Sequence, residues 1–360
     1  MNRPRVIVAD EPTPGLDMEL AVQAMEDFRC FADDGGGMLL ITHDIELALR
    51  VADRIAVFKD GTVVEETAVA SFSSPALLQH PFSRTLWHAL PEHGMKTSAE
   101  DRSDAPAPLV PLSSAFHPAA PEDPTKPHIN GENEEVAARS LQAKGVCFNY
   151  GTQSVLKDFD LKVRPGERVA LHAPSGTGKT TLCRILAGYL QPSAGEVLAD
   201  GVPLPRKGAS PVQLIAQHPE RMMDPAITVR QSLFEAAIAA EDARALIAWE
   251  SDGGESESPV PQLLDALGVQ RAWFERFPSE LSGGELQRCC IARALIAQPH
   301  YVVCDEISTM LDAATQASLW RFLIRYTQAN GIGMVLVTHS DALLAHVATR
   351  VVELPNTRSR

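Results

Sequence analysis

Short apolar runs, each closed by acids, prolines or glycines, alternate with amphipathic stretches along the first third of the chain. Val6–Ala9 is a β-branched run, residues 17–32 carry helical spacing, and Met38–Ile41 is a second apolar run. Strand, helix, strand in that order predicts a parallel α/β layer. Arg54–Phe58 and Thr62–Glu65 flank Asp60-Gly61, a hairpin signal. Residues 72–95 form a proline-punctuated tail, and 96–138 shift to Pro, Ala, Ser, Asp and Glu with few aromatics. Such a segment cannot bury enough apolar surface to order itself, so it is expected to be a flexible linker. A second start follows. Residues 145–163 predict two antiparallel strands around Tyr150-Gly151, Arg168–His172 a strand, and Thr180 to about Leu190 a helix. Residues 228–276 are mostly helical by spacing, interrupted by SDGGESES at 251–258, and the final strands expected are Tyr301–Cys304 and Met334–Val337. The expected domains are therefore 1–95 and 139–360, joined by 96–138.

This pattern repeats. VIVADEPTPGLD at 6–17 parallels VVCDEISTMLD at 302–312, and each precedes an apolar strand ending in Thr-His, ITHD at 41–44 and VTHS at 337–340. Asp10 and Glu11 thus match Asp305 and Glu306, Asp17 matches Asp312, and His43 matches His339. A repeat of this length governs the reading of the whole chain. Only the second copy is preceded by a glycine-rich loop.

Composition narrows the classes. A chain of 360 residues with 45% hydrophobic content suits roughly two globular domains. No run approaches the roughly 18 apolar residues of a membrane span, and MNRPRVIVADEP lacks signal-peptide architecture. A net charge of -14 argues against nucleic acid as a partner, since phosphate contacts need clustered Lys and Arg. Six cysteines without a CxxC pair predict reduced thiols rather than disulfides or a metal site.

The loop is APSGTGKTT, residues 173–181. Between a strand and a helix, Gly176 and Gly178 let backbone N–H groups curl inward around phosphates, and the helix N-terminus adds positive charge. Ala173 stands where the P-loop pattern has glycine, followed by Pro174, Ser175, Gly176, Thr177 and Gly178. Lys179 would reach the β- and γ-phosphates, and the Thr180 hydroxyl, beside Thr181, is placed for Mg²⁺.

About 100 residues on stands LSGGELQR, 281–288. With it the sequence resembles the ATP-binding cassette (ABC) ATPases. The resemblance covers about 1–95 and 139–360, and implies an α/β fold: a P-loop NTPase cassette with a mixed core sheet, a helical signature subdomain and an antiparallel β subdomain. A partial second cassette, 1–95, would precede it. It implies that Ser282, Gly283, Gly284 and Glu285 complete a partner's nucleotide site in trans, by the same anion logic as the P-loop. Asp305, with Thr180 and Gln217, would hold Mg²⁺; Glu306 would polarise the attacking water, and His339 would contact the γ-phosphate. Gln217, closing the run LIAQ, would also couple to the membrane partner. Tyr150 matches the aromatic that stacks on adenine, although a core or turn tyrosine reads the same alone. In the first copy Asp10, Glu11 and His43 would be vestiges, without P-loop or signature.

QHPERMMDP at 217–225 and HPFSRTLWHALP at 80–91 resemble the peptide, nickel and opine-metallophore importers of that family, with Asp224 in place of the usual asparagine. The expected function is ATP binding and hydrolysis powering uptake through separate integral membrane permeases. A second ATPase chain, identical or different, and a periplasmic or extracellular solute-binding protein would complete the assembly on the cytoplasmic face of the plasma membrane. Residues 1–95 are expected to be a remnant of a full cassette, through a misassigned start, a frameshift or decay. Rival readings are a soluble tandem cassette acting on ribosomes or nucleic acid, and a non-hydrolysing remnant; the proline-rich acidic linker and the importer-like tail disfavour the first.

Overall fold

The computed structural model describes residues 4–13, 18–59, 61–90, 139–174, 176–206, 208–251, 258–307, 311, 313–338 and 341–355. Asp17, Ser175, Asp312, His339 and the linker expected at 96–138 lie outside the described residues. The described residues fall into two compact units. One holds those of 1–98, 311–321 and 339–346, and the other those of 99–310, 322–338 and 347–360.

In the first unit β1 (Val6–Asp10) and β2 (Gly37–Ile41) pair in parallel, from Val6 opposite Gly37 to Asp10 opposite Ile41. Between them runs α1 (Met18–Asp33), and α2 (Ile45–Val51) follows, capped by the Asp44 carboxylate on the Leu47 N–H. Ala21, Met25 and Leu47 form a small core onto which Leu40 packs. The hairpin is β3 (Arg54–Lys59) with β4 (Thr62–Ala68). The tail is folded onto it. Two 3-10 turns lead into α3 (Pro81–Ala89), whose first-turn proline fits because its missing N–H has no helical partner to lose. The Glu65 carboxylate accepts the Gln79 and His80 N–H groups at 2.9 Å each, and Trp87 Nε1 donates to Phe72 O at 2.8 Å.

The second unit opens with β5 (Leu141–Tyr150) and β6 (Gln153–Val163), which lead into β7 (Arg168–His172) and α4 (Lys179–Leu186). Next come β8 (Ala194–Ala199), β9 (Val202–Pro203) and β10 (Val212–Ile215). A helical stretch follows: α5 (Val229–Ala239), α6 (Ala243–Glu250), α7 (Val260–Ala266) and α8 (Gly283–Ile296). The chain then alternates β11 (Tyr301–Asp305), α9 (Ala313–Ala329), β12 (Gly333–Val337), α10 (Asp341–Val347) and β13 (Arg350–Glu353), of which residues 313–321 of α9 and 341–346 of α10 are counted with the first unit. The core sheet has the order β10-β11-β12-β7-β13, and every pairing in it is parallel. The antiparallel strands form their own sheet, β6-β5-β8-β9. The mixed character expected of the core is thus divided between two sheets. Every residue of β11 and β12 is buried, as a parallel sheet covered on both faces demands.

β9 and β13 are short, β8 opens on an Ala-Gly pair, and none carries strong alternation, which is why the sequence pattern passes over them. The strand expected to close on Gln217 ends at Ile215, where its register with Cys304 stops; Gln217 lies two residues beyond, in the turn before a 3-10 segment begun by Pro219.

Candidate functional site

The loop after β7 is built on two left-handed glycines, Gly176 at φ 74° and Gly178 at φ 103°. Gly178 caps α4, and a methyl group placed on it would lie 2.5 Å from Val155 Cγ1 of β6. Glycine is needed there twice over, for φ and for space. Thr177 Oγ1 donates to Pro174 O at 2.8 Å and pins the turn. The Lys179 ammonium folds back on the same loop, donating to Ala173 O at 2.6 Å and Pro174 O at 3.2 Å. Burial pushes its pKa down, while Glu306 and then Asp305 pull it up. A buried ammonium whose hydrogen bonds among the described residues go to carbonyls is a cation ready for a stronger anionic partner.

Asp305 ends β11 beside it. Burial pushes its pKa up, against a hydrogen bond from the Thr180 side chain that pulls it down. Asp305 Oδ1 is buried and without a hydrogen-bond partner. Such an orphaned oxygen beside a threonine hydroxyl is hard-oxygen chemistry of the kind that suits Mg²⁺. Among the described residues there is no cluster of three His, Cys, Asp or Glu side chains, so softer or all-protein metal cages are not formed there.

Glu306 adopts φ 50° and its N–H donates to Val337 O at 3.0 Å. Side chains of neighbouring residues in a strand point to opposite faces; the left-handed turn at Glu306 breaks that alternation directly after Asp305. The first copy repeats this arrangement. Glu11 has φ 44° and its N–H donates to Ile41 O at 2.9 Å. Glu11 Oε1 also takes the His43 N–H at 2.9 Å and stands 2.8 Å from His43 Nδ1, while Glu11 Oε2 is buried without a partner. Asp10 is exposed at the end of β1.

Ser282 caps α8. Its hydroxyl accepts the Glu285 N–H at 3.3 Å, and the Glu285 carboxylate takes the Ser282 N–H at 2.8 Å. This reciprocal box holds the Ser282 side chain at the helix end, where its hydroxyl also interacts with the Glu285 carboxylate and helps to lower that group's pKa. Nothing lies within 4 Å of where a Gly283 Cβ would stand, so the helix end is open to a ligand from outside. Gly284 receives Arg288 Nε on its carbonyl at 3.3 Å. Tyr150 ends β5 half exposed, with its ring edge-on to Phe148 at 4.9 Å, a free aromatic face at the turn.

Ala173, Pro174, Gly176, Thr177, Gly178, Lys179, Thr180 and Thr181 are thus gathered at the end of β7, and Asp305 and Glu306 at the end of β11. Val155 was not legible as a site residue; only the packing shows that it shapes the loop. A separate open cavity of about 450 Å³ is walled by small residues including Gly188, Gly208, Ala236 and Ala297, with Arg206, Arg293 and Glu235 at its polar side. The described cysteines are all free; burial pushes Cys289 and Cys290 up to about 12, which makes them poor nucleophiles. No helix among the described residues is long and apolar enough to cross a membrane.

Residues 156–309 match the family model of ABC transporters. The chain is 30% identical over 373 residues to the glutathione import ATP-binding protein GsiA of Escherichia coli (strain K12), a match covering 97% of this chain and 56% of that protein. The protein of the same name from Salmonella choleraesuis (strain SC-B67) is 29% identical over 369 residues with the same coverage. The chain therefore spans little more than half the length of the curated relatives it matches. A solved structure described as the ATP binding subunit of an ABC transporter superposes with a TM-score of 0.51 at 26% identity, covering 60% of this chain and 86% of that one.

Proposed function

We propose, from the premise that this chain belongs to the ABC transporter ATP-binding family through residues 156–309, that it binds and hydrolyses ATP to power import of a solute through separate permeases. The observation that carries this reading is the pairing of two half-sites within 139–360. The Gly178–Lys179 loop and Asp305–Glu306 stand at the ends of β7 and β11, strands separated only by β12, and the Ser282 helix end faces outward. One half grips phosphate; the other is positioned for another chain's phosphate.

In this reading Lys179 exchanges the Ala173 and Pro174 carbonyls for the β- and γ-phosphates, while the loop N–H groups and the α4 N-terminus take the remaining charge. Thr180, Gln217 and Asp305 would hold Mg²⁺, which when bound neutralises phosphate charge. The Glu306 carboxylate accepts a proton from the attacking water, and His339 orients the γ-phosphate. Tyr150 offers its exposed face to the adenine. Ser282 turns its hydroxyl, with the Gly283 and Gly284 N–H groups, to the partner's γ-phosphate; Glu285 holds that serine in place until then.

The likeness to glutathione import proteins supports a peptide-like solute over nickel or a metallophore; the tail at 80–91 supports the importer branch without choosing among the three. They also support the partners expected above: permeases, a second ATPase chain and a solute-binding protein, at the inner face of the membrane. The cavity walled by glycines and alanines has room for side chains of a permease segment. The domain division 1–95, 96–138 and 139–360 belongs to the same proposal. Glu306→Gln tests it: ATP binding should persist while turnover falls about 10²- to 10⁴-fold, the worth of a general base. Unchanged turnover refutes the assignment. Co-sedimentation with membranes only when permeases are co-expressed tests the transport role.

A further inference from the structure

Gln217, proposed above to hold Mg²⁺, stands where no strand ladder supports it. Among the described residues β10 is an edge strand of the core sheet, and its pairing with β11 stops at Ile215. Ala216, Gln217 and His218 then cross as irregular chain to the 3-10 turn Pro219–Arg221. Two carbonyls of this stretch are nevertheless held, and both by α8. Gln287 Nε2 donates to Ala216 O at 3.4 Å, and Cys290 Sγ donates to Pro219 O at 3.5 Å.

Gln287 and Cys290 stand three residues apart on one face of the helix and are 2% and 5% exposed. A buried amide is costly unless it is hydrogen-bonded, so the Ala216 carbonyl is what makes a glutamine tolerable at that position. Burial pushes the Cys290 thiol up to about 12, so it keeps the proton it donates. The peptide unit is planar. Fixing Ala216 O therefore fixes the plane that carries the Gln217 N–H and Cα, and fixing Pro219 O secures the stretch from its far side. The turn closes on the same stretch, since the Arg221 and Met222 N–H groups donate to His218 O and Pro219 O at 3.1 and 3.0 Å. Gln217 and His218 thus lie between two carbonyls tied to one helix. We infer that Gln287 and Cys290 are positioning residues: through the Ala216 and Pro219 carbonyls they hold Gln217 where it takes Mg²⁺, so that the metal does not have to order the turn. The metal's part in this rests on the ABC ATPase reading; the clamp itself rests on the bonds to α8.

Gln287→Met keeps the side-chain length and loses the donor, and Cys290→Ala loses the thiol. In the nucleotide-free full chain carrying both changes, amide exchange at Arg221 and Met222 should quicken about two- to tenfold, the worth of a neutral hydrogen bond, with β11 and β12 unchanged. The Mg²⁺ concentration that half-saturates ATP turnover should rise by a similar factor, while kcat at saturating Mg²⁺ stays near that of the wild type. In a Gln217→Ala background the pair should shift that half-saturation no further, because the residue they position is gone. Cys289→Ala, equally buried on α8 but with no hydrogen bond to 216–219 among the described residues, should lower the melting temperature and leave the half-saturation alone. Unchanged exchange at Arg221 and Met222, an equal Mg²⁺ shift in the Gln217→Ala background, or the same shift from Cys289→Ala overturns the proposal. Turnover that survives Glu306→Gln would remove the ATPase reading and the Mg²⁺ role with it, while exchange at Arg221 and Met222 still decides whether α8 holds the turn.

Discussion

Replacing Gly178 by alanine isolates the geometry on which the phosphate loop depends. Two penalties arise. At φ 103° a Cβ meets the backbone, at about 1–2 kcal/mol for a left-handed L-residue. The added methyl also lies 2.5 Å from Val155 Cγ1, an overpacking of about 1–3 kcal/mol. Together they amount to about 2–5 kcal/mol, which the free protein can relieve by opening the loop. ATP must then restore the closed loop at its own expense, so affinity should fall between about thirty-fold and a few thousand-fold. Equilibrium binding of a fluorescent ATP analogue reads this directly, and a urea midpoint reads how much strain remains in the free state. Val155→Ala removes the clashing atom and leaves φ untouched. In the double variant the overpacking share should return, about five- to 150-fold in affinity. Gly166→Ala, left-handed at φ 71° with nothing within 4 Å of its would-be Cβ, should lower stability slightly and leave ATP affinity alone. Wild-type affinity in Gly178→Ala, or no recovery with Val155→Ala, refutes the reasoning.

Lys179→Met removes a buried cation whose only described acceptors are carbonyls; ATP affinity should drop about ten- to hundredfold, for hydrogen bonds to a charged group, while the nucleotide-free protein melts no lower. The Asp305 carboxyl is held above its ordinary 3.8 by burial, so the folded state binds more protons than the unfolded one and stability falls as pH climbs out of that range. Asp305→Asn should therefore raise the urea midpoint of the free protein at pH 7.5 more than at pH 4.5, and abolish the extra stabilisation that Mg²⁺ adds to ATP; a uniform loss at both pH values would contradict the burial argument. Ser282→Ala forfeits the α8 cap, about 1 kcal/mol in a thermal or urea melt, and should in addition lower turnover with ATP affinity unchanged.

The strands that carry chemistry are legible because they are apolar and closed by distinctive residues. Arg168–His172 was read with its boundaries intact, and Tyr301–Cys304 and Met334–Val337 to within one residue. The repeat was legible as well, and its offsets reappear as identical registers in β1–β2 and β11–β12. Other features depend on contacts that no local pattern encodes. Val155 matters because β6 crosses beside Gly178, and Glu65 because two N–H groups of the tail converge on it. Apolar residues run up to Gln217 and suggest a strand end there; the ladder stops earlier, at Ile215 opposite Cys304, although β11 itself continues to Asp305. The separation of parallel and antiparallel strands into two sheets is a topological fact, invisible to periodicity.

The left-handed residue after each Asp-Glu strand end has one more consequence. Glu11 holds φ 44° with no phosphate loop among the described residues of its unit, nearly the angle Glu306 holds beside one. In both places the N–H of the glutamate is tied to the last carbonyl of the neighbouring strand. The bend is therefore dictated by the strand pair and owes nothing to a nucleotide. A glutamate whose backbone is bent in advance has less conformational freedom left to lose when substrate arrives. Substrate loading should accordingly reshape the glycine loop and the lysine, and leave the backbone at the glutamate proposed to activate water still: one jaw of the site moves and the other is an anvil.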